Sequence, residues 1–212
     1  MGILKKIGIV SSNGKTSKIF EELFGSQTFF DIKDSRSSEY IKIYWNKYKE
    51  LGDSHSSMNG NTFELIISIL LIRENILLVY LQAKVTFVPN VVYDCLVYSA
   101  EIGPICLSLK TSLRERYKQA DLESVALKYV HRKTKGYLFT LDENEYKGVE
   151  DKICTNQVVL GLDDCIYCFS DDFNTLIAKR KNYNITKAKQ FNVIDSNQII
   201  TSEKIKGYVN GK

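Results

Sequence analysis

The sequence predicts a single α/β domain with a mixed central β-sheet flanked by helices. Three observations carry that prediction. Residues 79–110 hold three consecutive strand-like runs, VYLQAKVTFV, VVYDCLVYS and GPICLSLK, with Pro89-Asn90 and Gly103-Pro104 marking the turns. Helical periods lie on both sides of these runs. At 212 residues the chain is long enough to bury a real core and suits one domain.

The elements follow in chain order. Residues 3–10 suit a short strand, and SSNGKTSKIFEELFG a turn entering an amphipathic helix. SEYIKIYWNKYKEL, at 38–51, sets Ile41, Tyr44, Trp45 and Tyr48 on one helical stripe. MNGN breaks the chain, and Asn61 is placed to cap a helix over 62–75. The longest apolar run, FELIISILLI at 63–72, is too short for a membrane span and is flanked by charges, so it reads as a buried helix. Ser112-Leu-Arg-Glu115 has capping-box spacing, which predicts a helix from Ser112 to Lys128. GYLFTL at 136–141 and CIYCF at 165–169 are further strands, Asp171–Tyr183 is a polar surface helix, and the tail after 184 has no strong period. The whole of 1–212 reads as one unit: a helical part over 1–60, a core over 61–142 and a C-terminal part over 143–212.

The N-terminal MGILKKIGIV lacks an adequate signal-peptide core, and an odd count of five cysteines fits reduced thiols in a cytoplasmic protein. Cys165-Ile-Tyr-Cys168 stands alone, without the second pair that a zinc site requires, so both are read as small buried residues. The net charge is +4, but residues 110–135 hold eight Lys or Arg against three Asp or Glu, a net +5 that leaves −1 for everything else. A cationic stripe on a near-neutral body is the footprint of a polyanion-binding face.

Two motifs compete for the chemistry. Gly14-Lys15-Thr16 sits between a strand-like run and a helix, as a phosphate loop would, but five residues rather than four separate Gly8 from Gly14. That spacing argues against nucleotide hydrolysis. The second motif is stronger. Asp94 interrupts an apolar strand, where a carboxylate is costly unless it is bound to something. Lys110 ends the next strand, sixteen residues on, a spacing that suits adjacent antiparallel strands. Carboxylates that hold Mg²⁺, with a lysine to orient water and offset developing charge, are what metal-dependent phosphodiester hydrolysis requires. A second strand acid would stand two positions before the lysine, where this chain has Ser108. Glu123, thirteen residues past Lys110 on the following helix, can bring the missing carboxylate back alongside the strand. Glu64, the single charge in its apolar run, completes the candidate site.

This pattern resembles the PD-(D/E)XK nucleases, and within them the type II restriction endonucleases of the EcoRII, PspGI, SsoII and NgoMIV group. The resemblance rests on Asp94, on Ser108-Leu-Lys110, on Arg114-Glu115-Arg116 after three intervening residues, and on Glu123 after six more. It implies a PD-(D/E)XK restriction-endonuclease-like core, with Asp94 and Glu123 as ligands of Mg²⁺ and Lys110 as the catalytic lysine. The triplet supports it on chemical grounds, since arginine donates bidentately to guanine and glutamate accepts from the cytosine amino group. By analogy, Arg114, Glu115 and Arg116, with Lys118 beside them, contact double-stranded DNA at a CC/GG-containing palindrome of the CCNGG or CCWGG type. Such a two-fold site implies a homodimer, and a cognate DNA methyltransferase would be a functional partner only. Relatives of this kind extrude the central base. Trp45, the only tryptophan, is the candidate to stack on it, with core packing as its other reading.

Overall fold

The structure, a computed structural model, describes residues 3–10, 14–24, 35–52, 56–155, 158–187, 194–196 and 198–210. Its frame is a seven-stranded sheet grown from the three consecutive apolar runs. β1 (Val79–Val85), β2 (Tyr93–Ser99) and β3 (Gly103–Lys110) form an antiparallel meander, with Cys95 opposite Leu81 on one side and Leu107 on the other. β4 (Lys135–Thr140) and β5 (Asp164–Tyr167) add parallel to β3, so Lys110, Thr140 and Tyr167 lie side by side at one end of the sheet. At the opposite edge β6 (Ile194–Asp195) and β7 (Gln198–Ile200) both pair with β1.

Helices cover both faces. On one face α1 (Ile3–Lys6), α3 (Ser37–Glu50), α4 (Ser56–Arg73), α7 (Asp171–Arg180) and α8 (Ser202–Asn210) bury residues against the odd-numbered positions of β3, Ile105, Leu107 and Leu109. α2 (Lys15–Phe24) packs on α4 and α3. On the other face α5 (Arg116–Val130) sets Leu127 against Cys106, while α6 (Glu143–Thr155) sets Val149 against Leu138 and Cys165. Because side chains alternate along a strand, Ser108 and Lys110 share the α5 face with Cys106.

Two close approaches fix α5 in rotation and height. The Asp121 carboxylate accepts the backbone N–H groups of Leu160 at 3.0 Å and Leu162 at 3.1 Å, with that of Gly161 between them. A Cβ at Gly161 would stand 2.2 Å from the Asp121 carbonyl oxygen, and one at Gly136 2.5 Å from the Ser124 hydroxyl. Only glycine lets the backbone lie this close to the helix.

Several elements differ from the sequence expectation. Residues 3–10 hold a helical turn rather than a strand: Leu4 and Ile7 are both buried at a spacing of three, and Ile9 closes the turn by donating to the Leu4 carbonyl at 2.9 Å. α4 runs straight through MNGN, so Asn61 lies inside the helix and is not its cap. Gly60 costs a helix about 1 kcal/mol. Contacts with α3 offset it, since Met58 is buried and Asn59 accepts from the Tyr48 hydroxyl at 2.9 Å. The 112–115 capping box does not form, and α5 begins at Arg116 with no side-chain cap. Leu113 is fully buried and its carbonyl takes the Arg116 N–H, so the chain spends these residues on a turn that anchors Leu113. α7 buries Phe173, Leu176 and Ile177 and so is not merely a surface helix. The aperiodic tail supplies β6, β7 and α8.

Of the five cysteines, four are buried and all are free thiols. Burial pushes the Cys165 thiol up to about 12, which fits an inert packing role. Among the described residues, no helix is long and apolar enough to cross a membrane.

If the backbone contact at Gly161 sets the position of α5, Gly161→Ala will lower stability by about 1–3 kcal/mol, the usual cost of overpacking. The check is the urea midpoint at constant m-value. A control at Gly148, where an added Cβ meets nothing within 4 Å, will not fall.

Candidate active site at the end of the third strand

The register between β2 and β3 brings Asp94 beside the last two residues of β3. One carboxylate oxygen of Asp94 accepts both the Lys110 ammonium at 2.7 Å and the Leu109 backbone N–H at 2.8 Å. The Lys110 and Asp94 side chains retain only 12% and 15% of their exposure, so each needs the other to offset its desolvation.

Two further acids approach this pair from separate helices. Glu64, on α4, accepts from the Gln82 side-chain amide of β1 at 3.0 Å. Burial, reinforced by the Asp94 charge, pushes its carboxyl up to about 7 against the opposing pull of Lys110 and Gln82. Glu123, on α5, accepts from Gln119 one turn earlier at 2.7 Å. Its carboxyl is also raised, chiefly by burial, with Gln119 and Lys110 pulling the other way. The Tyr93 hydroxyl donates to the Glu123 carbonyl at 3.0 Å, tying α5 to the residue next to Asp94. Glu64 and Asp94 line a cleft of about 410 Å³ whose wall includes Gly14, Thr16 and Ser17. The Gly-Lys-Thr turn thus borders the candidate site, and the Ser17 hydroxyl is engaged by the Gly14 carbonyl at 2.8 Å.

Ser108 is 1% exposed, and its hydroxyl lies 3.7 Å from the Cys106 sulfur. Among the described residues, no group of three or more His, Cys, Asp and Glu is gathered closely enough to hold a metal ion. Asp94 contacts Lys110 directly, whereas Glu64 and Glu123 interact with it at longer range.

Arg114, Glu115, Arg116 and Lys118 are all exposed just beyond Lys110. Arg114 adopts φ +37, and its backbone N–H donates to the Glu145 carboxylate of α6. Glu115 pairs with Lys118 one turn on. The cationic stripe divides along α5. Lys110, Arg114, Arg116 and Lys118 lie at the site end, whereas Lys128 and Lys135, at the other end of α5, are both engaged by Asp163, at 2.9 and 2.7 Å. Trp45 is half-buried on α3, with its ring 6.3 Å from Phe63 and 5.4 Å from Tyr48 and the Lys49 ammonium 5.2 Å above it.

No protein-family model matches the chain, and no curated protein matches it. A solved structure matches in shape: the restriction endonuclease PspGI in its complex with substrate DNA, with a TM-score of 0.56 and 14% identity. The match covers 80% of this chain and 93% of that one. The fold is that of a restriction endonuclease. Within the restriction-endonuclease fold, the structure brings Asp94 and Lys110 into contact and couples both electrostatically to Glu64 and Glu123. It gives the Trp45 ring to Phe63 and Tyr48.

Three residues escaped the sequence reading. Gln82, at φ +47 in β1, holds Glu64; Tyr93 holds the backbone at Glu123; Glu145 holds Arg114. Gln82 left a trace, as the lone amide in VYLQAKV. The other two left none, because their roles depend on which elements meet.

The raised Glu64 carboxyl has a sign that stability measurements read. Between the ordinary value of 4.5 and about 7, the folded protein binds more protons than the unfolded chain, so stability falls as pH rises through that window. In EDTA the wild-type melting temperature will drop from pH 5 to pH 7.5, and Glu64→Gln will flatten that drop. Parallel curves for the two proteins would show that Glu64 is not the titrating group.

Proposed function

We propose that this protein is a Mg²⁺-dependent type II restriction endonuclease that cuts double-stranded DNA at a short CC/GG-containing palindrome. The reading rests chiefly on the Asp94–Lys110 pair, which is flanked by Glu123 and followed at once by an exposed Arg-Glu-Arg segment. The shared fold with an enzyme solved on its substrate DNA supports it.

The residues present fit a hard divalent cation. Mg²⁺ takes one or two carboxylates and keeps several waters, so it needs no closed protein cage. Burial chiefly raises the Glu64 and Glu123 carboxyls, and a cation bound beside them would stabilise their charged forms. Asp94 and Glu123 would hold the ion, and its chemistry there is Lewis-acid stabilisation of charge on the phosphate. Lys110 orients the attacking water and offsets charge on the phosphoryl oxygens. Glu64 titrates near neutrality and is suited to exchange a proton with water.

Base reading falls to the triplet. Arg114 and Arg116 present bidentate donors, and Glu115 presents the acceptor that a cytosine amino group needs. The exposed Glu115–Lys118 pair is worth at most about 1 kcal/mol, so DNA can displace it. A two-fold target is most simply cut by a homodimer.

Digestion of a plasmid of known sequence with Mg²⁺, followed by mapping of the ends, tests the reading directly. Cuts confined to CCNGG- or CCWGG-type sites are expected, and cuts at random positions would replace it with a non-specific nuclease. Glu123→Ala will cut at least ~100-fold more slowly, about 2.7 kcal/mol in barrier, while still binding DNA in Ca²⁺. Ser108→Ala will be far milder, and the reverse ranking would remove the displaced-acid site. Arg116→Ala will lose about 1–3 kcal/mol of discrimination between cognate and scrambled duplexes. Equal weakening on both would assign Arg116 to phosphate.

A further inference from the structure

The connection between β1 and β2 leaves the sheet at the same end as Lys110, because Asp94 lies one residue into β2 and Lys110 is the last residue of the antiparallel β3. It opens with a tight turn, Val85-Thr86-Phe87-Val88, closed by the Val88 N–H on the Val85 carbonyl at 3.1 Å. Val85 and Val88 are buried in the core on the α5 side, so the turn is anchored. Phe87 is not: it is 83% exposed. It also occupies φ +68 at the third turn position, which this geometry reserves for glycine or asparagine. A bulky side chain there is a genuine outlier, and among the described residues no core cluster includes it to offset its strain. From Lys84 to Val92 the segment carries one lysine and no acid.

We propose that Phe87 is a DNA-contacting wedge that enters the minor groove and inserts against a base step beside the cut. The inference deepens the nuclease reading and rests on it. A phosphodiester backbone is the wall between the two grooves of a duplex, and Asp94 and Lys110 must reach that wall to act. The Arg-Glu-Arg segment leaves β3, which has β4 on its far side, and the Phe87 turn joins β1 to β2 on the other side of the pair. Elements that flank the backbone from opposite sides enter opposite grooves. The triplet, opening a helix, needs the wide major groove, which leaves the narrow minor groove to the turn. An apolar ring inserted there partly unstacks the bases and gains stacking contact in return.

The test uses the full chain and a duplex carrying the mapped cleavage site, with 2-aminopurine beside the cut and Ca²⁺ in place of Mg²⁺. Phe87→Gly relieves the backbone strain, so its melting temperature will equal or exceed that of wild type. Its affinity for the duplex will fall at least about tenfold, the range of one lost aromatic–base stack. The salt slope will not change, because no phosphate contact is lost. The 2-aminopurine will brighten with wild type and with Phe87→Tyr, but not with Phe87→Gly. Wild-type affinity in Phe87→Gly overturns the wedge while leaving the nuclease reading intact. A lower melting temperature assigns Phe87 to the fold, and a shallower salt slope assigns it to phosphate; either overturns the wedge. A wild-type protein that neither binds nor cuts plasmid DNA overturns the nuclease reading and the wedge together.

Discussion

The ion pair between Asp94 and Lys110 is the constraint on which the rest of the site depends. Both side chains are nearly covered, and a charge in that position stripped of its partner costs several kcal/mol. Asp94 also takes the Leu109 N–H, so the same carboxylate that neutralises Lys110 reports whether β2 and β3 are in register. A slip of one residue would turn Lys110 toward the α4 core and leave Asp94 unpaired. The chemistry and the strand pairing are therefore specified by one contact.

The surrounding acids respond to burial first and to that pair second. Lys110 neutralises one carboxylate, yet Glu64 and Glu123 both lie within the reach of its field. Each carboxyl is raised chiefly by burial, and the Asp94 charge adds to the shift. Burial strips both carboxylates of hydration, and in the proposed nuclease a bound divalent cation would offset that cost. The cleft lined by Glu64 and Asp94 opens on the α4 side of the pair.

Much of this was legible in the sequence, for identifiable reasons. The β1–β3 meander could be read because alternation and turn residues are local properties of the chain. Asp94, Lys110 and Glu64 could be read because each is a charge in or at the end of an apolar run, where it must be compensated. The start of α5 could not be read: the capping-box spacing at Ser112 is real, but Leu113 is claimed by a core cluster and Arg114 by Glu145, thirty-one residues away. MNGN misled for the same reason, since Asn59 finds its partner on α3. The β6 and β7 strands are too short to show a period and exist because β1 offers them an edge. Gln82 and Tyr93 act only through the helices that cross their strands.

On the proposed reading, the position of the second acid follows from how wet each candidate position is. Ser108 lies on the α5 face of β3 at 1% exposure, with Cys106 as its neighbour. A carboxylate there would be ionised without water or a full set of donors, at a cost of several kcal/mol. A serine fills the space and leaves no charge to satisfy. Glu123 stands one layer out, on a helix held by Asp121 and Gly161 at one level and by Tyr93 at another. It is partly solvated and already hydrogen-bonded to Gln119. The cation of the proposed mechanism, which would keep part of its hydration shell, would be better served by this position than by a dry strand interior. Packing of α5 against β3 is what makes residue 108 unsuitable for an acid, and in the proposed nuclease the same packing would supply Glu123 in its place.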